Sequence, residues 1–174
     1  RHTRLVRVLS SDVCSSDLTG HFPIADALAL HTIKMLVDYL PRCPEGDIDS
    51  LLQAKTAACM VMLVRPGLGM NTAMAHHVGG LYDVAHGEAN GILLPHTMRY
   101  NLDASADRQV LIAQAMGIDT SDMTDTEAGL ASADGGASLC HTRGLPAPFR
   151  YGGVPEGGLG LMAQSGSAAG RAGW

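Results

Sequence analysis

Four of the eight histidines in the chain lie within one stretch, MNTAMAHHVGGLYDVAHGEANGILLPHTMRYN, which spans residues 70–101. His76 and His86 are separated by a predicted break after Tyr82, so their imidazoles can converge from two neighbouring helices. A neutral imidazole can bind iron or zinc, and it can also exchange protons near neutral pH. Two histidines alone do not complete a metal site, because such sites take three or four ligands. The spacing therefore indicates metal binding, catalysis, or histidines that only pack and form hydrogen bonds, as expected for His77 and His96.

The elements that must position these side chains are predicted to be helices, because apolar residues recur at three- and four-residue spacing. Pro41 ends the first apolar run, and Pro95 lies inside the fourth predicted helix, where we expect a kink. Gly117 is the expected end of the fifth helix. No stretch alternates with the period of a strand for more than a few residues, so the sequence predicts an all-α helical bundle. The predicted helices are 24–40, 48–64, 71–82, 88–101 and 105–116.

The two ends of the chain differ in character from this helical region. Residues 1–18 contain a near-duplication, SSDV and SSDL, and SSDVCSSDL resembles translated sequencing-adaptor read-through. We therefore expect an artefactual leader there, with a genuine disordered terminus as the alternative. Residues 19–116 are expected to form the helical core of the domain. Residues 117–174 are rich in Gly, Ser, Ala and Asp and are expected to be a weakly structured remainder of the same domain, with weak periodicity at 128–140.

Composition excludes several classes of function. The chain has 12 basic and 17 acidic side chains, a formal net charge of −5, and no basic patch of the kind that binds nucleic acid. The most apolar run, residues 57–64, is about half of the ~20 residues that a membrane span requires. The four cysteines are widely spread, with no C-x-x-C pair and no secretory segment before them. We therefore expect a reduced, cytoplasmic protein that binds neither nucleic acid nor membrane.

The stretch AMAHHVGGLYDVAHGEANGILLPHTMRYN resembles the signature of the iron-containing alcohol dehydrogenases. PIADALALHTIKML is similar to the helix that follows the upstream ligand segment of that family, and GLPAPFRYGGVPEGGL resembles its C-terminal region. The resemblance extends from about Phe22 to Leu159. It implies the helical C-terminal domain of the dehydroquinate synthase-like fold, truncated, without the family's N-terminal nucleotide-binding domain.

The resemblance also implies roles for individual residues. The family's metal is bound by an upstream Asp and His and by two later histidines, with another histidine between them beside the nicotinamide and substrate. On this sequence His86 falls on the last ligand, and His76 falls on the intermediate histidine, which makes it the candidate catalytic residue. Thr72 stands at the other ligand position, and the upstream Asp and His should precede Pro23. A hydroxyl is a weaker ligand than an imidazole, so Thr72 counts against Fe²⁺ or Zn²⁺ as a cofactor.

The function implied by the resemblance is a fragment of an NAD(P)-dependent oxidoreductase that interconverts alcohols and aldehydes or ketones by hydride transfer. With a metal, the cation polarises the substrate oxygen as a Lewis acid. Without a metal, as in the related maleylacetate reductases, His76 and His86 orient and protonate that oxygen. The implied substrate is a small-molecule alcohol or aldehyde, and the intact enzyme is expected to be a homo-oligomer. The isolated chain, which lacks a cofactor site, is expected to be inactive.

Two other functions stay open at this point. One is a non-catalytic helical protein that binds a metal or a partner. The other is a metal-dependent helical hydrolase, whose site is formed by His76, His77 and His86 with Asp83. A Gly-rich α/β domain directly upstream in the complete gene supports the oxidoreductase and excludes both alternatives.

Overall fold

The fold is helical throughout the part of the chain that the computed structural model describes, which is residues 23–62 and 69–141. No strand occurs among these residues, which confirms the predicted all-α class. None of the described helices is both long and apolar enough to cross a membrane. The helices are α1 (Pro23–Tyr39), a 3₁₀ helix (Leu40–Glu45), α2 (Ile48–Met62), α3 (Met70–Tyr82), α4 (His86–Tyr100), α5 (Leu102–Ala115) and α6 (Asp125–His141).

The main hydrophobic core lies between α1, α2, α4, α5 and α6. Its largest side chains are fully buried, and burying one such side chain contributes roughly 1.5–3 kcal/mol. Gly46, with a φ of 83°, ends the 3₁₀ helix in the left-handed region and lets α2 fold back beside α1. The buried residues of this core are Ile33, Leu36, Leu40, Cys43, Ala54, Ala57, Leu94, Met98, Ile112, Ala133 and Leu139.

A second, smaller core joins α3 to α4. Among the described elements, α3 packs mainly against α4. The helix α4 contributes to both cores, because Ile92 and Leu93 point into the smaller one while Leu94 and Met98 belong to the larger one. The histidine-rich stretch therefore forms a helix pair that is attached to the bundle through α4. The buried residues of the second core are Ala75, Val78, Val84, Ala89, Ile92 and Leu93.

The expectation of weak structure beyond Gly117 is wrong for residues 125–141, which form α6 and pack against α4 and α5. The periodicity of this helix is weak because its buried face consists mostly of small residues such as Ala133 and Gly136. Those residues allow close approach of the helices. A Cβ atom at Gly129 would lie 2.3 Å from Cδ1 of Leu102 in α5, so this position has no room for a larger residue unless Leu102 moves.

The junction between α4 and α5 differs in detail from the sequence prediction. The helix α4 continues through Pro95 as a single helix, and the break in helical geometry occurs at Ser105, with φ −140° and ψ 22°. The Ser105 hydroxyl donates to the Asn101 carbonyl oxygen at 2.9 Å. The buried Gln109 side chain donates to the Met98 carbonyl oxygen at 2.8 Å and to the Ser105 hydroxyl at 3.1 Å. The bond from Gln109 gives the Met98 carbonyl oxygen, in the last turn of α4, a side-chain partner from α5.

Candidate active site

His76 and His86 lie next to each other at the reversal between α3 and α4. Their ring centroids are 4.8 Å apart, and the ring planes are inclined by 39°. His76 is an exposed residue of α3, and His86 is the half-buried first residue of α4. The convergence of two imidazoles from neighbouring helices, which the spacing predicted, is present in the structure.

A tight turn of three residues produces this convergence. Asp83 ends α3 in the left-handed region, with φ 52° and ψ 29°, a conformation that Asp tolerates better than most residues. Val84 is buried in the second core and anchors the turn. A Cβ atom at Gly79 would lie 3.4 Å from the Val84 carbonyl oxygen, which is an ordinary van der Waals contact. The turn therefore depends on the left-handed conformation of Asp83 and on the burial of Val84.

Thr72 is buried in α3, one helical turn before His76. Residues four apart in a helix lie on the same face, so Thr72 and His76 share one side of α3. Position 72 is the one at which the resemblance implies an imidazole ligand. The hydroxyl there can form a hydrogen bond, but it is a poor substitute for imidazole as a ligand for iron or zinc.

A network of buried side chains connects α3 to α4 beneath the histidine pair. The Asn71 amide donates to the Asn90 side-chain oxygen at 3.0 Å and to the Asn90 carbonyl oxygen at 3.3 Å. The Asn90 amide in turn donates to the His86 carbonyl oxygen at 2.8 Å. The Thr97 hydroxyl donates to the Asn71 side-chain oxygen at 3.3 Å and to the Leu94 carbonyl oxygen at 3.0 Å. Buried amides require such partners, because an unpaired one costs about 1–3 kcal/mol.

Sequence reasoning did not identify Asn71, Asn90 or Thr97. Their hydrogen-bond partners lie 19 and 26 residues away in the sequence, so no local pattern reveals the network. The only local signal was two asparagines in a stretch that is otherwise apolar and destined for burial. Such residues need hydrogen-bond partners inside the fold.

The side chains of the described residues do not by themselves fit a metal ion. They bring together no group of three or more His, Cys, Asp or Glu side chains suited to one. Of the ligand positions implied by the resemblance, the described residues contain only His86 and Thr72. One imidazole and one hydroxyl fall short of the three or four donors that iron or zinc requires. The implied upstream Asp and His positions precede Pro23 and lie outside the described residues.

The hydrolase site considered from the sequence is not assembled. Its four residues, His76, His77, His86 and Asp83, are all described, and they do not form a group that could hold a metal. His77 and His96 were expected to pack or to form hydrogen bonds, and both side chains are exposed. Of the four residues, His76 and His86 are the two whose rings lie next to each other.

Comparison with known proteins places this helix pair in a family. The C-terminal profile of the Fe-containing alcohol dehydrogenase family matches residues 19–172. The chain is 34% identical over 148 residues to 1,3-propanediol dehydrogenase of Citrobacter freundii. The matched region covers 82% of this chain and 38% of that protein. It is 27% identical over 152 residues to NAD-dependent methanol dehydrogenase of Bacillus methanolicus, covering 84% of this chain and 39% of that protein.

A solved structure agrees with these matches. The crystal structure of 1,3-propanediol oxidoreductase superposes on 93% of this chain and 44% of its own, with a TM-score of 0.89 and 28% sequence identity. The chain thus spans about two fifths of the length of the curated relatives it matches.

Proposed function

Because the chain belongs to the Fe-containing alcohol dehydrogenase family, whose C-terminal profile it matches, we propose that it is the C-terminal part of an NAD(P)-dependent oxidoreductase. The intact enzyme interconverts small alcohols and the corresponding aldehydes or ketones. The observation that carries the proposal is the pair of imidazoles 4.8 Å apart within the matched region. The names of the relatives, a propanediol dehydrogenase and a methanol dehydrogenase, support a small alcohol as substrate.

The proposal divides the work between two domains of the intact enzyme. Residues 19–174 belong to the helical domain, which supplies the histidines, and a nucleotide-binding domain elsewhere in the intact enzyme holds the cofactor. The described residues contain no strand–turn–helix unit of the kind that cradles a dinucleotide. NAD(P)H, when bound, supplies the hydride that reaches the carbonyl carbon. NAD is supported by the name of the methanol dehydrogenase relative.

Within this chain, we assign His76 the transfer of the proton to and from the substrate oxygen. We assign His86 the orientation of that oxygen. With ring centroids 4.8 Å apart, one oxygen atom can lie within hydrogen-bond distance of a nitrogen atom on each ring. His76 donates a proton to the carbonyl oxygen as hydride reaches the carbon, and it accepts the hydroxyl proton in the opposite direction. Its exposed position in α3 leaves it open to a substrate arriving from outside the helix pair.

The affinity of the site for Fe²⁺ or Zn²⁺ is weak or absent in this proposal. His86 is the one residue of the described part that matches an implied ligand position with a ligand of the implied type. Thr72 removes one imidazole from the set, and the remaining donors do not compensate for it. The proton-transfer role of His76 does not depend on the metal.

The test is the full-length enzyme, restored upstream, assayed for oxidation of small primary alcohols with NAD⁺ and with NADP⁺. We expect turnover that is unchanged after dialysis against a chelator. Complete loss of activity on chelation, recovered by ferrous iron or zinc, would contradict the metal-free part of the proposal. Absence of turnover with any small alcohol or aldehyde would contradict the function itself.

A pair of histidine variants tests the assigned residue. His76→Gln should lower kcat by roughly 10²–10⁴-fold, the usual contribution of a positioned acid or base. His77→Gln is the matched control, because His77 is the exposed neighbour on the same helix, and its kcat should stay within about twofold of the original. Equal losses of kcat in the two variants would contradict the role assigned to His76.

A further inference from the structure

His86 lies at the N-terminus of its helix, where no side chain caps the first turn. It is the first residue of α4, and Ala85 before it provides no side chain to cap the free amide groups of the first turn. An alanine at this position is typically worth about 1 kcal/mol less than Ser, Thr, Asn or Asp. The backbone bond from the Ala89 amide to the Ala85 carbonyl oxygen, at 3.0 Å, holds this first turn, and a side-chain contact from elsewhere adds to it.

Asn90 provides that contact from inside the helix. Its amide nitrogen donates to the His86 carbonyl oxygen at 2.8 Å, and its side chain is almost completely buried. The bond spans one helical turn, so it connects the first residue of α4 to a buried residue in the second turn. The rotamer of Asn90 is fixed in turn, because its side-chain oxygen accepts a hydrogen bond from Asn71.

Asn71 belongs to α3, the helix that carries His76. Five residues separate Asn71 from His76, which corresponds to roughly 7.5 Å along the helix axis. Asn71 is fully buried, and its side-chain oxygen accepts a hydrogen bond from Thr97. The two imidazoles are thus connected twice, once through the turn at Asp83 and once through the pair of asparagines below them.

We propose that Asn90 is a positioning residue that holds His86 beside His76, and that Asn71 anchors Asn90 from the opposite helix. The geometric part of this inference stands on the contacts alone. Its consequence for catalysis rests on the proposed function. Asn90 touches no reacting atom, and its effect reaches the substrate only through the placement of the His86 ring.

The two asparagines connect the helices because a side-chain amide can donate and accept hydrogen bonds at the same time. Asn90 needs a donor toward His86 and an acceptor toward Asn71, and only an amide of this length supplies both. An aspartate at position 90 keeps the acceptor but loses the donor, and its charge repels the His86 carbonyl oxygen. The pair of substitutions Asn90→Ala and Asn90→Asp therefore separates the bond to His86 from the bond to Asn71.

The first experiment uses the 174-residue chain and measures the contact between the two rings by nuclear Overhauser effects between their protons. The original chain should give a ring-to-ring cross-peak, because the centroids are 4.8 Å apart. Asn90→Ala and Asn90→Asp should both lose at least half of its intensity. Gln109→Leu is the control, since it removes two buried hydrogen bonds where α5 meets the far end of α4 and should leave the cross-peak unchanged.

The second experiment measures kcat and KM of the full-length enzyme. A shift of about 1 Å in a catalytic group can cost on the order of 10²-fold in rate, so Asn90→Asp should lower kcat by at least about tenfold. KM should change by less than about threefold, because Asn90 contacts no substrate. Gln109→Leu should leave both constants within about twofold of the original.

The outcomes separate this inference from the proposed function. An unchanged cross-peak in both Asn90 variants would overturn the positioning role, whatever the kinetics. A lost cross-peak in an enzyme without turnover on any small alcohol would support positioning and contradict the proposed function. If Asn90→Ala does not fold, Thr97→Val decides, because it removes the hydroxyl that donates to Asn71 and to the Leu94 carbonyl oxygen and leaves both asparagines in place. It should weaken the cross-peak less than Asn90→Asp does, and no weakening in either would count against the network.

Discussion

We expect Thr72 to limit how strongly this site binds a divalent cation. It is buried one turn before His76, at the position where the family resemblance implies an imidazole. In the full-length enzyme, Thr72→His should tighten Zn²⁺ binding by at least about tenfold, since even partners that only orient a ligand are worth 10–100-fold in affinity. Isothermal titration with Zn²⁺ measures the change. Ala73→His is the control, because position 73 lies on a different side of α3, and equal gains in both variants would contradict the assignment.

Cys140 illustrates how burial alters reactivity within α6. Burial raises the pKa of the Cys140 thiol from the usual 9.0 to about 11, because the thiolate is desolvated. Since the thiolate is the reactive form, labelling of the native chain at pH 8 should modify the exposed Cys59 well before Cys140. Mass spectrometry of peptides after timed alkylation measures both rates. Similar rates for the two thiols would show that α6 opens readily.

The raised pKa of Cys140 also makes the free energy of unfolding depend on pH. The neutral thiol is favoured in the folded state, so its contribution is fully present below pH 9.0 and is lost as the pH rises through about 11. Denaturant midpoints should therefore fall over this interval in the original chain. The midpoint of the Cys140→Ala variant should fall less steeply over the same interval, although it starts from a lower value.

The candidate residues of the site were predictable to different degrees. His76, His86 and Thr72 followed from spacing and from the family resemblance, because the motif is contiguous in the sequence. Asn71 and Asn90 were not predictable. The local sequence around an asparagine in a helix does not show whether its side chain is buried and hydrogen-bonded or exposed to solvent. Their function depends on the approach of two helices, which is a tertiary event.

At the scale of elements, the first turn of α6 is capped by reciprocal hydrogen bonds between Thr124 and Glu127. The Glu127 carboxylate accepts hydrogen bonds from the backbone amide and the hydroxyl of Thr124, both at 2.8 Å, and the Thr124 hydroxyl accepts from the Glu127 amide at 3.3 Å. Thr124→Ala should lower the free energy of unfolding by about 1 kcal/mol. Thr126→Ala, at an exposed position within the helix, is the control and should have little effect. Chemical denaturation measures both.

This capping contribution should also depend on pH. The hydrogen bonds from Thr124 lower the pKa of the Glu127 carboxyl below 4.5. A lowered pKa means that the stabilisation is present above the unfolded value and is lost as the pH falls through the folded one. The difference between the original chain and Thr124→Ala should therefore shrink in acid. A difference that stays constant from pH 7 into strong acid would contradict the role of the carboxylate.

The helices α1 to α5 could be predicted because their buried faces carry large apolar residues at helical spacing, as with Ile33 and Leu36 in α1. The sequence of α6 gave only a weak periodicity at 128–140, because alanine, glycine and serine occupy its buried face and give little contrast with an exposed face. The break at Ser105 was missed. It depends on Gln109 and on the end of the preceding helix, and not on a local breaker such as proline.

At the scale of the whole molecule, the isolated chain should not reduce an aldehyde or oxidise an alcohol with NAD(H) or NADP(H). Hydride transfer requires the nicotinamide to be held against the substrate, and the described residues offer the histidine pair without a dinucleotide cradle. Absorbance at 340 nm under saturating substrate and cofactor measures the rate. Turnover above that of a His76→Gln preparation would show that this chain holds the cofactor.

The chain should also associate with itself. Ile24, Ile48 and Leu52 are 66%, 78% and 59% exposed, and the last two lie one turn apart on α2. Exposed apolar clusters of this kind favour association. Sedimentation velocity should detect oligomers at micromolar concentration, and Ile48→Lys with Leu52→Lys should reduce them. Lysine at the exposed Thr56, on the same helix, is a control that should leave association unchanged. A monomeric original chain would count against this expectation.

The helix α4 belongs to both hydrophobic cores, whereas α3 packs mainly against α4 alone. We therefore expect the described helices to behave as two cooperative units of unequal size that share α4. Opening of the smaller unit separates α3 from α4 and exposes few apolar side chains, so it costs less free energy than unfolding of the bundle. Backbone amides of α3 should then exchange with solvent sooner than those of α5. The histidine pair lies in the unit that we expect to open first, so the pair should rearrange more easily than the rest of the described bundle.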